Sequence, residues 1–216
     1  MFDLVIVGGT VVDGTGTPGR AADVAVTDGR IVEVGRVDGP ARRRLDADGA
    51  LVTPGFVDIH THYDGQATWD PHLTPSCWHG VTTAIMGNCG VGFAPVAPDR
   101  REWLIELMEG VEDIPGSALA EGIHWAWESF EQFLDALERM PRAIDVGTHL
   151  PHAAVRAYVM GARAQGPATA EDLDAMAAIV RSSLQAGALG VSTGRTAGHR
   201  DIHGQPVPGT YAVHEE

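Results

Sequence analysis

Pro54-Gly55-Phe56-Val57-Asp58-Ile59-His60-Thr61-His62 opens on a proline-glycine turn signal and closes on two histidines. A proline-glycine pair punctuates the chain, and the apolar run behind it reads as a strand. Side chains in a strand alternate between faces. Val57, Ile59 and Thr61 then point toward covering helices, and Phe56, Asp58, His60 and His62 point the other way. Both imidazoles stand on one face at the strand's C-terminal end, where barrel enzymes build their active sites. A lone histidine is usually structural, but a His-x-His pair lets both rings reach one metal ion.

Downstream of this stretch, strands alternate with helices. Val81–Met86, Ala143–Thr148 and Ala188–Ser192 are strand candidates. Asp99–Glu109 carries Trp103, Leu104, Leu107 and Met108 on one helical face. Ser129–Met140 repeats Phe130, Phe133, Leu134 and Leu137 at helical spacing. Ala170–Ala186, capped by Thr169 and ended by Gly187, is expected to bury Leu173, Ala177, Val180 and Leu184. Such alternation makes βα units and a parallel sheet. About four units are countable, whereas a closed (β/α)8 barrel needs eight and roughly 250 residues. Residues 55–216 therefore read as an incomplete (β/α)8 TIM-like barrel, an α/β fold. Thr210–Glu216 looks like the opening of another helix, which predicts the N-terminal part of a longer protein.

Upstream, residues 1–54 read as a small all-β sandwich subdomain. Strands are expected at Phe2–Val7, Thr10–Val12, Asp23–Thr27, Arg30–Val34 and Leu51–Thr53. Asp28-Gly29 between two of them signals a two-residue hairpin. Gly14-Thr15-Gly16-Thr17-Pro18-Gly19 matches a dinucleotide-binding spacing, but that reading needs a helix to open at the glycines. Pro18, Gly19 and a hairpin follow instead, so the segment is read as a glycine-rich loop.

The 216 residues carry 29 acidic and 15 basic side chains, a net charge of −14. Every base is arginine. A surface so acidic disfavours nucleic acid and anionic membranes alike. No run approaches the ~20 apolar residues of a membrane helix. The N-terminus has no basic region of a signal peptide, and Cys77 and Cys89 make no disulfide framework, so a cytoplasmic setting is expected.

Gly87-Asn88-Cys89-Gly90 follows the second strand directly. On its own, Cys89 reads as a small buried thiol in a glycine turn. Beside two imidazoles, it also reads as a zinc ligand, because zinc accepts mixed sulfur and nitrogen donors.

These stretches together resemble the amidohydrolase superfamily, and within it the D-aminoacylase branch of N-acyl-D-amino-acid deacylases. The resemblance rests on residues 6–16, 54–62 and 80–90, and continues through 150–161 and 187–194. It implies a small β-sandwich on a (β/α)8 barrel. It implies that His60 and His62 match the histidines of a weakly occupied metal position, and Cys89 the thiolate that also holds a tightly bound zinc. The metal ligands expected here are thus His60, His62 and Cys89, with one tight zinc and a second weak one. Many relatives bridge two metals with a carboxylated lysine, and this chain contains no lysine. Two further histidine ligands and an aspartate base belong to later strands in the family, so no catalytic residue is assigned within this chain.

The implied activity is zinc-dependent hydrolysis of the amide bond of a small N-acyl-D-amino acid. Hydrolysis of a cyclic amide, an aminohydrolase reaction and a non-catalytic half-barrel module are the alternatives. The isolated chain is expected to be unstable and inactive, and its oligomeric state is left open. Arg195 either faces a substrate carboxylate or is a surface charge. His199 and His203 read as part of a polar loop, and His214 lies outside the family's ligand context. Asp64, Trp69 and His72 lie where they would shape the pocket.

Overall fold

The computed structural model of the chain describes residues 1–214 and 216. It comprises two compact units, Met1–Gly55 and Phe56–Glu216.

In the first unit, β1 (Phe2–Val11), β2 (Arg20–Thr27), β3 (Arg30–Gly35), β4 (Ala41–Asp46) and β5 (Leu51–Val52) share one sheet. The order is β3-β2-β1-β4, with β5 also on β1. β2 is antiparallel to β1 and β3, and β4 and β5 run parallel to β1. Asp28 and Gly29 take φ of 51° and 71°, the left-handed pair that a tight hairpin needs. The expected break after Val7 is instead a bulge: β1 continues to Val11, with Gly8 at φ 76° and its N–H bonded to Asp23 at 3.0 Å. Among the described residues these strands make one hydrogen-bonded sheet. β4 escaped the sequence reading because Arg42-Arg43-Arg44 offers no apolar alternation. The Gly14–Gly19 segment is a loop held by Asp13, which accepts from Thr15 N–H at 3.1 Å and pairs with Arg20 at 2.9 Å.

The second unit is mixed α/β. Its elements in chain order are β6 (Phe56–Asp58), β7 (Val81–Met86), α1 (Arg101–Glu112), α2 (Gly116–Gly122), α3 (Phe130–Arg139), β8 (Asp145–Thr148), β9 (Leu150–Pro151), α4 (His152–Met160), α5 (Ala170–Ala186) and β10 (Val191–Ser192). The strands β6-β7-β8 form one parallel sheet, and β9 pairs in parallel with β10. Helices lie between parallel strands because a parallel connection must cross over.

The helix starts follow the sequence. Ser129 and Gln132 form a capping box on α3, and Thr169 and Asp172 form one on α5. Phe130, Phe133 and Leu137 of α3 are buried with Leu104, Leu107 and Met108 of α1. Trp127 belongs to the same buried cluster, its ring 5.0 Å from Phe133 and its N–H on the Phe93 carbonyl at 2.8 Å. α4 gave no amphipathic signal because Ala153, Ala154, Val155, Arg156 and Ala157 are all buried, leaving no polar face to set a period.

Four expectations are corrected. The first strand ends at Asp58, short of His62. Val57 and Ile59 are 56% and 73% exposed, so no described helix covers them. α5 buries Asp172, Met176 and Ser183, and Leu184 is exposed. Residues 210–214 form turns rather than a helix. No helix of the described residues is long and apolar enough to cross a membrane.

Candidate metal centre

His60 and His62 lie just beyond β6, so the pleat of a strand does not aim them. Their backbone is tied to the neighbouring strand instead. Thr61 donates to the Ile85 carbonyl from its N–H at 2.9 Å and from its hydroxyl at 2.8 Å. The Asn88 amide donates to the carbonyls of Thr61 and Ile85, each at 3.0 Å. Asn88 thus clamps the histidine segment to the tip of β7, a role its place in Gly-Asn-Cys-Gly did not disclose.

The turn after β7 carries the thiol. Gly87, Cys89 and Gly90 take φ of 72°, 55° and 77°. A left-handed conformation at a non-glycine residue costs about 1–2 kcal/mol, and such strain gathers at functional sites. The Ser192 hydroxyl at the end of β10 accepts the Gly90 N–H at 3.0 Å and donates to the Gly87 carbonyl.

These anchors bring the three expected ligands together. One donor atom from each of His60, His62 and Cys89 lies within 4.8 Å of the others. His60 Nε2 is 3.2 Å from Cys89 Sγ, and the two imidazole centroids are 5.5 Å apart. Zn–N and Zn–S lengths put the nitrogen–sulfur edge of a tetrahedral site at roughly 3.5 Å. The donor set fits such an ion: two imidazoles, one thiol, and a buried His62 Nδ1 with no hydrogen-bond partner. Burial holds the His62 ring neutral, its pKa pushed down to about 4 with help from His60 and His199. A neutral ring keeps the lone pair a metal needs. Burial and the nearby Glu112 carboxylate push the Cys89 thiol up, so ligation releases a proton.

Three neighbours complete the surroundings. Glu112, the last residue of α1, sits with Oε1 3.2 Å from His62 Nε2. Burial raises its carboxyl above the usual range. Asp64 is 1% exposed, one of its oxygens has no partner, and burial pushes its pKa up to about 7. His199, in a segment whose sequence reads as a polar loop, acts electrostatically on both His62 and Glu112. That proximity has no local signal: the Arg200 carbonyl presses onto Gly110 of α1, where an added Cβ would sit 2.4 Å from it. His203 stays outside, facing Glu106 at 3.5 Å, and Arg195 donates to the Ala212 carbonyl at 2.8 Å.

A profile of the amidohydrolase family matches residues 43–216. The chain belongs to the amidohydrolase family. It is 38% identical over 194 residues to a D-aminoacylase of Alcaligenes xylosoxydans xylosoxydans, covering 89% of this chain and 38% of that protein. It superposes with a TM-score of 0.77 on a D-aminoacylase with a binuclear metal centre, at 37% identity over 94% of this chain and 41% of that one. It also superposes, with a TM-score of 0.72, on an N-acyl-D-glutamate deacylase of Bordetella bronchiseptica bound to zinc and a phosphonate mimic of the tetrahedral intermediate. That match has 34% identity and covers 89% of this chain and 38% of that one. The chain thus spans about two-fifths of the length of the relatives it matches.

Proposed function

We propose that the protein is a zinc-dependent hydrolase of amide bonds that deacylates small N-acyl-D-amino acids. In this reading residues 1–54 are the N-terminal part of a small β-sandwich subdomain and residues 55–216 the N-terminal half of a (β/α)8 barrel. His60, His62 and Cys89 are metal ligands: the two histidines belong to a weakly occupied position, and Cys89 also holds the tightly bound zinc. The observation that carries the proposal is the approach of those three side chains to within 4.8 Å from two separate strand ends. The matches to deacylases in sequence and in shape support the choice of substrate class.

Zinc, when bound, supplies a Lewis acid for the scissile carbonyl and for the attacking water. The chain's own residues prepare that chemistry. His60 and His62 offer imidazole nitrogens, that of His62 held neutral by burial, and Cys89 gives up its proton and leaves a thiolate. Thr61 and Asn88 hold the histidine segment to β7, which fixes the backbone that carries its donors. The resemblance assigns the base that takes the water's proton to an aspartate on a later strand, together with two further histidines.

The test is metal analysis and chiral product analysis on the complete protein, with the later strands to which the resemblance assigns the aspartate and the two further histidines. Zinc retained on purification, lost in Cys89→Ala, and release of the free D-amino acid from N-acyl-D-substrates are expected. Zinc retention unchanged by Cys89→Ala overturns the ligand set. Turnover of cyclic imides or aminopurines in place of acyl-D-amino acids moves the reading to a different reaction of the same superfamily. Absence of both zinc and turnover favours a non-catalytic module.

A further inference from the structure

The C-terminal end of α1 breaks a rule of helix electrostatics. The helix dipole leaves partial negative charge there, which favours basic residues and disfavours acidic ones. The last turn of α1 carries no base and holds Glu109 and Glu112, with Asp113 at the C-cap. Local violations of this kind are expected where function outweighs stability. Of the three acids, Glu112 is the one aimed at the metal centre, its Oε1 3.2 Å from His62 Nε2. Both side chains are withdrawn from solvent, at 21% and 13% exposure.

Glu112 lies outside the three-residue group whose donors approach one another within 4.8 Å. Its contact is with a ligand side chain. A divalent cation held by two neutral imidazoles and one thiolate keeps one uncompensated positive charge in a half-buried site. A carboxylate beside His62 brings that total to zero, and the negative end of α1 adds to it. Partners of this kind behind a ligating histidine typically set metal affinity by 10–100-fold.

The position of Glu112 is enforced from behind. The backbone at Arg200 and Asp201 packs against Gly110 so closely that an added Cβ would lie 2.4–2.7 Å from it. Asp113 takes the left-handed C-cap, its N–H bonded to the Glu109 carbonyl at 3.1 Å, which ends the helix just beyond Glu112.

We propose that Glu112 is a positioning residue of the metal centre, orienting His62 and balancing the charge of the cation, and that α1 ends where it does to deliver it. This inference rests on the reading of His60, His62 and Cys89 as metal ligands. The experiment compares wild type, Glu112→Gln, Glu112→Ala and Glu109→Gln. Zinc affinity is measured by chelator competition, and melting temperature is measured with the metal removed. Zinc is expected to bind 10–100-fold more weakly to Glu112→Ala, less weakly to Glu112→Gln, and unchanged to Glu109→Gln. The metal-free melting temperature of the Glu112 variants is expected to be equal or higher, because an acid is removed from a helix C-terminus. A merely structural residue moves that temperature the other way. Unchanged zinc affinity in Glu112→Ala, an equal loss in Glu109→Gln, or a lower metal-free melting temperature overturns the proposal. Wild-type protein that binds no zinc defeats the ligand reading itself, a different result from variants that bind as well as wild type.

Discussion

Gly87→Ala should be the most damaging single methyl added near the metal centre. Gly87 sits at φ 72°, where alanine costs about 1–2 kcal/mol. A Cβ there would lie 2.2 Å from the His149 carbonyl oxygen and 2.8 Å from Thr148 Oγ1. The nearest obstacle is backbone, and it is held in place: His149 N–H bonds the Met86 carbonyl at 2.9 Å. Overpacking of this kind costs roughly 1–3 kcal/mol, so the total is roughly 2–5 kcal/mol. Gly204→Ala is the matched control in the same unit. Gly204 has φ 79°, and nothing lies within 4 Å of its added Cβ, so it should cost only the conformational part, about 1–2 kcal/mol. Urea unfolding of the metal-free protein followed by tryptophan fluorescence is the assay. All five tryptophans lie between residues 69 and 127, so the signal reports on the second unit alone. Zinc affinity should fall with stability in Gly87→Ala, because the displaced turn carries Cys89. Equal costs for the two variants would refute the steric argument. A large cost with unchanged zinc affinity would refute the claim that this turn positions the thiol.

Two other predictions concern stability. The Asp64 pKa of about 7 in the fold lies above its ordinary 3.8, so the folded state binds this proton more tightly. The stability contributed by that proton is full below pH 3.8 and drains as pH rises to 7. With ~1.4 kcal/mol per pH unit, Asp64→Asn should be near neutral at pH 4 and stabilise the metal-free protein by roughly 4 kcal/mol at pH 8. A gain independent of pH in denaturation at both values would contradict this. Burial of His62 acts with the opposite sign: its pKa is lowered from 6.5 to about 4, so its contribution is lost as pH falls through that window. In Asp64→Asn, stability should therefore decline from pH 6.5 toward 4. Ser129→Ala removes the acceptor for the Gln132 N–H, at 3.3 Å, and half of a capping box. It should cost ~1 kcal/mol in urea unfolding, and Ser129→Asp should restore most of that.

The amino-acid sequence alone determined the pieces whose causes are local. Apolar periodicity and capping residues placed α3 and α5 to within a residue, and Asp28-Gly29 specified its hairpin, because helix caps and tight turns involve neighbours in the chain. His60, His62 and Cys89 were legible as residue types with metal-ligand spacing. Their meeting was expected from strand alternation, yet β6 stops at Asp58 and both histidines lie beyond it. Tertiary structure decided the rest. Asn88 and Thr61 join two strand tips 24 to 27 residues apart, and no periodicity encodes a hydrogen bond over that separation. The loop after His199 lies against α1, which ends on Glu112, because Gly110 leaves room for the Arg200 backbone, a contact between segments 90 residues apart. Long-range packing of backbone on backbone depends on the absence of a side chain. In a chain with 27 glycines, nothing local marks which one is needed for it.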